Sequence, residues 1–194
     1  VALRIVGGRL SGRRFRGPGK RTRPTAERVR EAMFSALVAR DAVSDARVLD
    51  LFSGTGALAF EALSRGATSA VAVDDDRRAA SAIRTDAEVL GLTSELDVVV
   101  LDLLRAPKKA AERLARRGPF DLILADPPYA DAQRAIGLLE ALAKAGGVAP
   151  DALVVLEHAS ADELSLGARL ASVASYRYGS TAVAFLTAVE LEAR

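Results

Sequence analysis

Four consecutive residues, Asp126-Pro127-Pro128-Tyr129, place an acid, two rigid imino acids and an aromatic ring directly after the apolar run Phe120 to Ala125. Proline rigidity aims the Pro127 carbonyl outward beside the Asp126 carboxylate. Two such acceptors suit an exocyclic amine on a nucleobase. The lone pair of that amine is delocalised into the ring, and catalysis must draw it out of conjugation by taking up each N–H, which pyramidalises the nitrogen and stabilises the charge that develops as it attacks a methyl. Tyr129 offers a ring face on which the base can stack, and the surplus proton leaves to Asp126 or to water. The plainer reading of these residues is a rigid loop next to a helix-capping Asp131.

A second constellation lies upstream, in Val48-Leu49-Asp50-Leu51-Phe52-Ser53-Gly54-Thr55-Gly56-Ala57-Leu58, an apolar run that ends in an acid and turns through two glycines into a helix. Such a turn lets a ligand approach bare backbone at a helix N-terminus. Gly54-Thr-Gly56-Ala-Leu-Ala59 also fits the loose dinucleotide fingerprint, so the glycines alone do not separate NAD from other nucleotides. Asp50 does. A carboxylate four residues before the first glycine repels a pyrophosphate and attracts a ligand carrying an ammonium group, such as S-adenosylmethionine. Asp74 lies eighteen residues past Gly56, where a carboxylate can accept the ribose hydroxyls. Asp75 and Asp76 suit helix caps better.

The elements that must hold these residues follow from the hydrophobic rhythm. Short apolar runs at 48–51, 70–73, 97–101, 120–125 and 152–156 alternate with amphipathic stretches near 57–65, 77–90, 107–117 and 131–145. That alternation predicts an α/β fold, a parallel, doubly wound Rossmann-like sheet. Two further strands, 171–178 and 182–191, joined across Gly179-Ser180, predict an antiparallel ending. A helix over about 26 to 40, capped by Thr25, leads into this body. Before it, Leu3 to Arg16 interleaves apolar and basic residues around glycines and predicts a small β-hairpin.

The 194 residues include no cysteine and a single histidine, His158. Disulfides, thiolate metal sites and thiol nucleophiles are therefore excluded; no metal is expected, and His158 reads as a structural hydrogen-bonding residue. No apolar stretch approaches the roughly 18 residues of a membrane span and no signal core opens the chain, so a cytoplasmic protein with no membrane partner is expected. The formal charge of +2 conceals a segregation. Residues 1–30 carry ten Lys+Arg and one acid, a net +9, which leaves 17 Lys+Arg against 24 Asp+Glu, a net −7, in the other 164. We expect two functional parts: a basic arm over 1–24, whose Arg4, Arg9, Arg13, Arg14, Arg16 and Arg23 meet RNA phosphates, and a catalytic domain over 25–194. The basic stretch from Pro107 to Arg117 reads as a solvated helix face.

The set Asp50 to Gly56, Asp74 and Asp126 to Tyr129 resembles class I S-adenosylmethionine-dependent amino-methyltransferases. Arg4-Ile-Val-Gly-Gly8, Gly12-Arg-Arg14, Arg23-Pro-Thr25, Arg28-Val-Arg-Glu31, Met33-Phe34, Leu63-Ser-Arg-Gly-Ala67 and Tyr178-Gly-Ser-Thr181 are similar to the RsmD family of small-subunit ribosomal RNA guanine-N2 methyltransferases. The resemblance implies that Asp50, Ser53, Gly54 and Gly56 cradle the methionine part of the cofactor, Asp74 the ribose and Asp102 the adenine amino group. It makes Asp126, Pro127, Pro128 and Tyr129 the catalytic loop, and places Arg23 and Thr25 near its mouth. Its substrate would be a guanine of 16S ribosomal RNA, free or in a partly assembled particle, and a monomer is expected. Ser35 and Asp74 stand where the family often has Asn and Glu. Two other readings compete: a DNA adenine-N6 methyltransferase, disfavoured because 194 residues leave no room for a target-recognition domain, and a non-catalytic ribosome-assembly module, disfavoured by the intact tetrapeptide.

Overall fold

The computed structural model of the chain describes residues 3–17 and 24–189. Two compact units divide between Leu101 and Asp102. In the first, β1 (Leu3–Arg4) pairs antiparallel with β2 (Arg14–Phe15), and the expected hairpin is present. Side chains alternate across it: Leu3, Ile5 and Phe15 are buried while Arg4 and Arg14 face water. Helix α1 (Pro24–Val38) follows. It begins earlier than its sequence suggested, which puts Thr25 inside the first turn instead of at the cap. A proline tolerates the first turn of a helix because its missing N–H would have no partner there.

Three parallel strands complete this unit in the order β5-β4-β3: β3 (Arg47–Leu51), β4 (Ser69–Asp74) and β5 (Leu96–Val100). Helix α2 (Ala57–Ser64) connects β3 to β4, and α3 (Arg77–Leu90) connects β4 to β5. The two helices differ in character. From Ala59 to Ser64 every residue of α2 is buried, whereas α3 buries Ala79, Ala80, Ile83, Ala87 and Leu90 on one face. Asp76 caps α3 by accepting the Arg78 N–H at 2.7 Å, as its position suggested, and Gly91, at φ 74°, ends it in the left-handed conformation.

The second unit contains α4 (Pro107–Ala115), β6 (Phe120–Ala125), a 3₁₀ turn (Tyr129–Asp131), α5 (Ala132–Lys144), β7 (Val148–Ala159), β8 (Leu170–Tyr178) and β9 (Thr181–Ala188). Strand β6 runs parallel to β7, and the antiparallel ending is realised as β7-β9-β8. Strand β7 is longer than the apolar run that announced it, because Glu157 and His158 stay in register with β9 opposite Val183 and Ala182. Gly179, at φ 65°, makes the tight return from β8 to β9 possible. The expected strand end at 191 lies outside the described residues.

Candidate active site

The glycine turn sits at the carboxyl ends of β3 and β4. Phe52, Gly54 and Gly56 all have positive φ, and Gly56 N–H closes the turn on the Ser53 carbonyl at 2.7 Å. A Cβ at Gly56 would come within 3.0 Å of Ile83 and 3.1 Å of Phe60, and with φ at 75° both crowding and backbone conformation favour glycine there. At Gly54 a Cβ would meet only the Phe52 carbonyl, at 3.8 Å: bare backbone borders open space. Asp74, the last residue of β4, accepts the Gly54 N–H at 2.7 Å through Oδ2 and the Asp76 N–H at 2.9 Å through Oδ1. Each of those oxygens keeps a second lone pair for a ligand hydroxyl.

Asp50 is fully buried, and its Oδ2 accepts the Ala59 N–H at 3.1 Å, in the first turn of α2. This is the place where a dinucleotide fold receives pyrophosphate. Here the protein's own carboxylate takes it and opposes the positive end of the helix. A phosphate does not fit such a turn, while a ligand with a cationic amino-acid portion does. The Ser53 hydroxyl is committed to the sheet, donating to the Asp50 carbonyl at 2.7 Å and accepting the Val73 N–H at 2.8 Å. Ser53 therefore offers a ligand its backbone and its position in the turn.

In the second unit, Asp102 accepts the Leu104 and Arg105 N–H groups at 3.1 and 2.9 Å through Oδ1 and ties a turn before α4. The tetrapeptide leaves β6 at its carboxyl end. Pro127 is buried, Asp126 and Pro128 are exposed, and the Pro128 carbonyl accepts the Asp131 N–H at 2.7 Å, which starts the 3₁₀ turn. The Tyr129 ring is 44% exposed, and its hydroxyl lies 2.9 Å from Thr181 Oγ1 on β9, so the ring is held at one end and open on its face.

Asp126 is reached by water on one side and crowded by protein on the other. That partial loss of hydration pushes its carboxyl up to about 6. The register Ala125 opposite Leu156 brings Glu157 of β7 alongside it. Half-burial first, and then the Asp126 charge, push the Glu157 carboxyl up to about 7. Its β9 partner, Val183, is apolar and supplies no compensating charge. Glu157 escaped the sequence reading because it looks like one polar residue ending an apolar strand; only the strand register pairs it with Asp126. Thr181 entered that reading only within a family pattern, with no contact assigned. His158 is 6% exposed, and its Nδ1 donates to the Ala159 carbonyl at 2.9 Å, a structural bond.

The arginines of the hairpin divide into two groups. Arg4 pairs with Glu27 and Arg9 with Glu95, while Arg13 donates to the Val89 carbonyl at 2.9 Å. Arg14 and Arg16 are exposed, and their side chains have no ion-pair partner among the described residues. Arg23 lies outside those residues. The described residues include no group of three or more His, Cys, Asp or Glu able to hold a metal ion, and no helix long and apolar enough to cross a membrane.

The family model described as "Conserved hypothetical protein 95" matches residues 3–187. The Escherichia coli K12 protein named ribosomal RNA small subunit methyltransferase D is 33% identical over 159 residues, 80% of this chain and 74% of its own length. The chain belongs to the RsmD family. The Haemophilus influenzae protein of the same name is 31% identical over 162 residues, 80% of this chain and 78% of its own. A solved structure of a hypothetical protein from Thermus thermophilus superposes with a TM-score of 0.77 at 31% identity, over 95% of this chain and 99% of that one. The RsmD match takes in the hairpin, the glycine turn and the Asp-Pro-Pro-Tyr loop together.

Proposed function

We propose that the chain is an S-adenosylmethionine-dependent methyltransferase acting on the exocyclic N2 of a guanine in small-subunit ribosomal RNA, in the cytoplasm and as a monomer. One observation carries the reading: a solvent-reached carboxylate, Asp126, opens a proline-stiffened loop whose tyrosine presents its ring. The glycine turn fits the cofactor by the chemistry of its donors. Asp50 makes the α2 N-terminus receptive to a cationic amino acid, Gly54 leaves room at the backbone, and Asp74 retains acceptors for the ribose. Asp102 keeps Oδ2 for the adenine amino group.

Bound S-adenosylmethionine supplies an electrophilic methyl group on a sulfonium. The chain's part is to prepare the nucleophile. Asp126 and the Pro127 carbonyl each accept one N–H of the amine and turn its lone pair outward, and Tyr129 holds the base by stacking. Small-subunit ribosomal RNA stands in the names of the relatives; guanine N2 is carried over from the resemblance to the family's motifs and is part of the proposal. We assign residues 1–24 to RNA backbone contact and 25–194 to catalysis.

The test is labelled methyl transfer to unmodified small-subunit ribosomal RNA, to assembled subunits and to duplex DNA in parallel, with the product nucleotide mapped by mass spectrometry. Label at one guanine N2 is expected in the ribosomal substrates. Equal labelling of duplex DNA would sink the proposal.

A further inference from the structure

Arg78, Ser81, Ala82 and Thr85 recur at helical spacing and share one face of α3. With Arg16, Gly17 and Asp86 they line an open cleft of about 370 Å³ in the first unit. Arg16, just past β2, and Arg78, in the first turn of α3, both line it; both are exposed, and neither side chain has an ion-pair partner among the described residues. Asp86 brings the opposite charge, but its two oxygens accept the Arg16 and Gly17 N–H groups at 3.1 and 2.8 Å. The Thr85 hydroxyl donates to the Ser81 carbonyl at 3.2 Å, which leaves the Ser81 hydroxyl as the uncommitted donor.

We infer that this cleft is a subsite for one phosphodiester of the RNA substrate, gripped between Arg16 and Arg78 with Ser81 as a hydrogen-bond donor. The inference rests on the proposed function for the identity of the RNA. The ligand is a polynucleotide backbone and not a free nucleotide, because the two backbone N–H groups at the cleft are already held by Asp86. Side-chain cations and a hydroxyl remain, the usual means of positioning a nucleic acid without reading its sequence. The site also extends the RNA surface beyond the hairpin onto α3, which the charge of residues 1–30 did not indicate.

The experiment measures binding of full-length protein to an unmodified small-subunit ribosomal RNA fragment by fluorescence anisotropy across salt concentrations. Arg78→Gln should lower the log–log salt slope by about 0.7, the share of one single-strand phosphate contact, and weaken binding about fivefold at 0.1 M salt. Arg113→Gln on α4 removes the same charge from another exposed helix face and should leave the slope unchanged. Ser81→Ala should weaken binding without altering the slope. An unchanged slope in Arg78→Gln overturns the subsite, as does an equal loss in Arg113→Gln, which would mean that only net charge matters. Affinity for S-adenosylmethionine should stay at the wild-type value, and a fall there would also count against the assignment. If the RNA binds as described but receives no methyl, the proposed function fails while the subsite stands.

Discussion

Glu61 and Asp126 are both carboxylates at an end of the first or second unit's βα framework, and they live under opposite rules. Glu61, wholly buried in α2, accepts the Val6 and Gly7 N–H groups at 2.9 and 2.8 Å and Arg65 Nε at 2.7 Å, with Arg30 Nε 3.7 Å away. Each of these neighbours brings it a donor or a positive charge. Asp126 has water on one side, protein on the other and a second acid, Glu157, beside it. Glu61 is surrounded by donors and holds structure; among the described residues Asp126 has none, which suits the amine-accepting role proposed for it. The supply of donors, more than burial, distinguishes the two acids.

The sharpest way to break that comparison is to neutralise each acid. Asp126→Asn should reduce methyl transfer by about 100- to 1,000-fold, the range for loss of a charge-stabilising group at a reacting centre, with cofactor affinity nearly unchanged in calorimetry. Activity within tenfold of wild type would remove Asp126 from the chemistry. Glu61→Gln should instead cost about 3–5 kcal/mol in urea unfolding, because Arg30 and Arg65 lose their buried counter-charge. A loss near zero would mean that the backbone bonds alone anchor the hairpin.

Titration sharpens the contrast. The proposed reaction uses Asp126 as a carboxylate, so kcat should fall as pH drops through about 6. Stability runs the other way. The folded state keeps protons on Asp126 and Glu157 that an unfolded chain releases near 3.8 and 4.5, so their contribution is present below those values and is lost as pH rises toward about 6 and 7. Glu157→Gln should flatten the stability profile between pH 4.5 and 7, and an unaltered profile would show that Glu157 does not carry the shift. The smallest effect belongs to Thr181→Val, which releases the Tyr129 hydroxyl: about 0.5–1.5 kcal/mol, or a two- to tenfold loss in kcat/KM, restored by Thr181→Ser. In a Tyr129→Phe background the same substitution should do almost nothing, since the bond is already gone.

Much of the framework was legible because it is written locally. Apolar runs of four to six residues between amphipathic stretches mark the strands β3 to β6, Asp76 marks the start of α3, and Gly179 marks the last turn. The turn made by Asp126 to Tyr129 after β6 was readable for the same reason, since it is written in adjacent residues. What stayed hidden depends on partners far along the chain. Glu61 looks like an ordinary polar position of an amphipathic helix, yet the backbone N–H groups it accepts are 54 and 55 residues away. Asp86 looks like a solvated residue of α3, yet it binds backbone 69 and 70 residues back. The charge of residues 1–30 was likewise visible, but its division into arginines engaged by Glu27, Glu95 and Val89 and arginines left open required the fold.

The attachment of the hairpin has a temporal side. Its turn is held by Glu61 and Ser64, and its exit by Asp86, so residues 3–17 are synthesised well before these three anchors. A nascent chain that stops short of residue 61 carries the whole hairpin sequence and none of these anchors. The hairpin therefore gains its last anchor only after most of α3 has been synthesised.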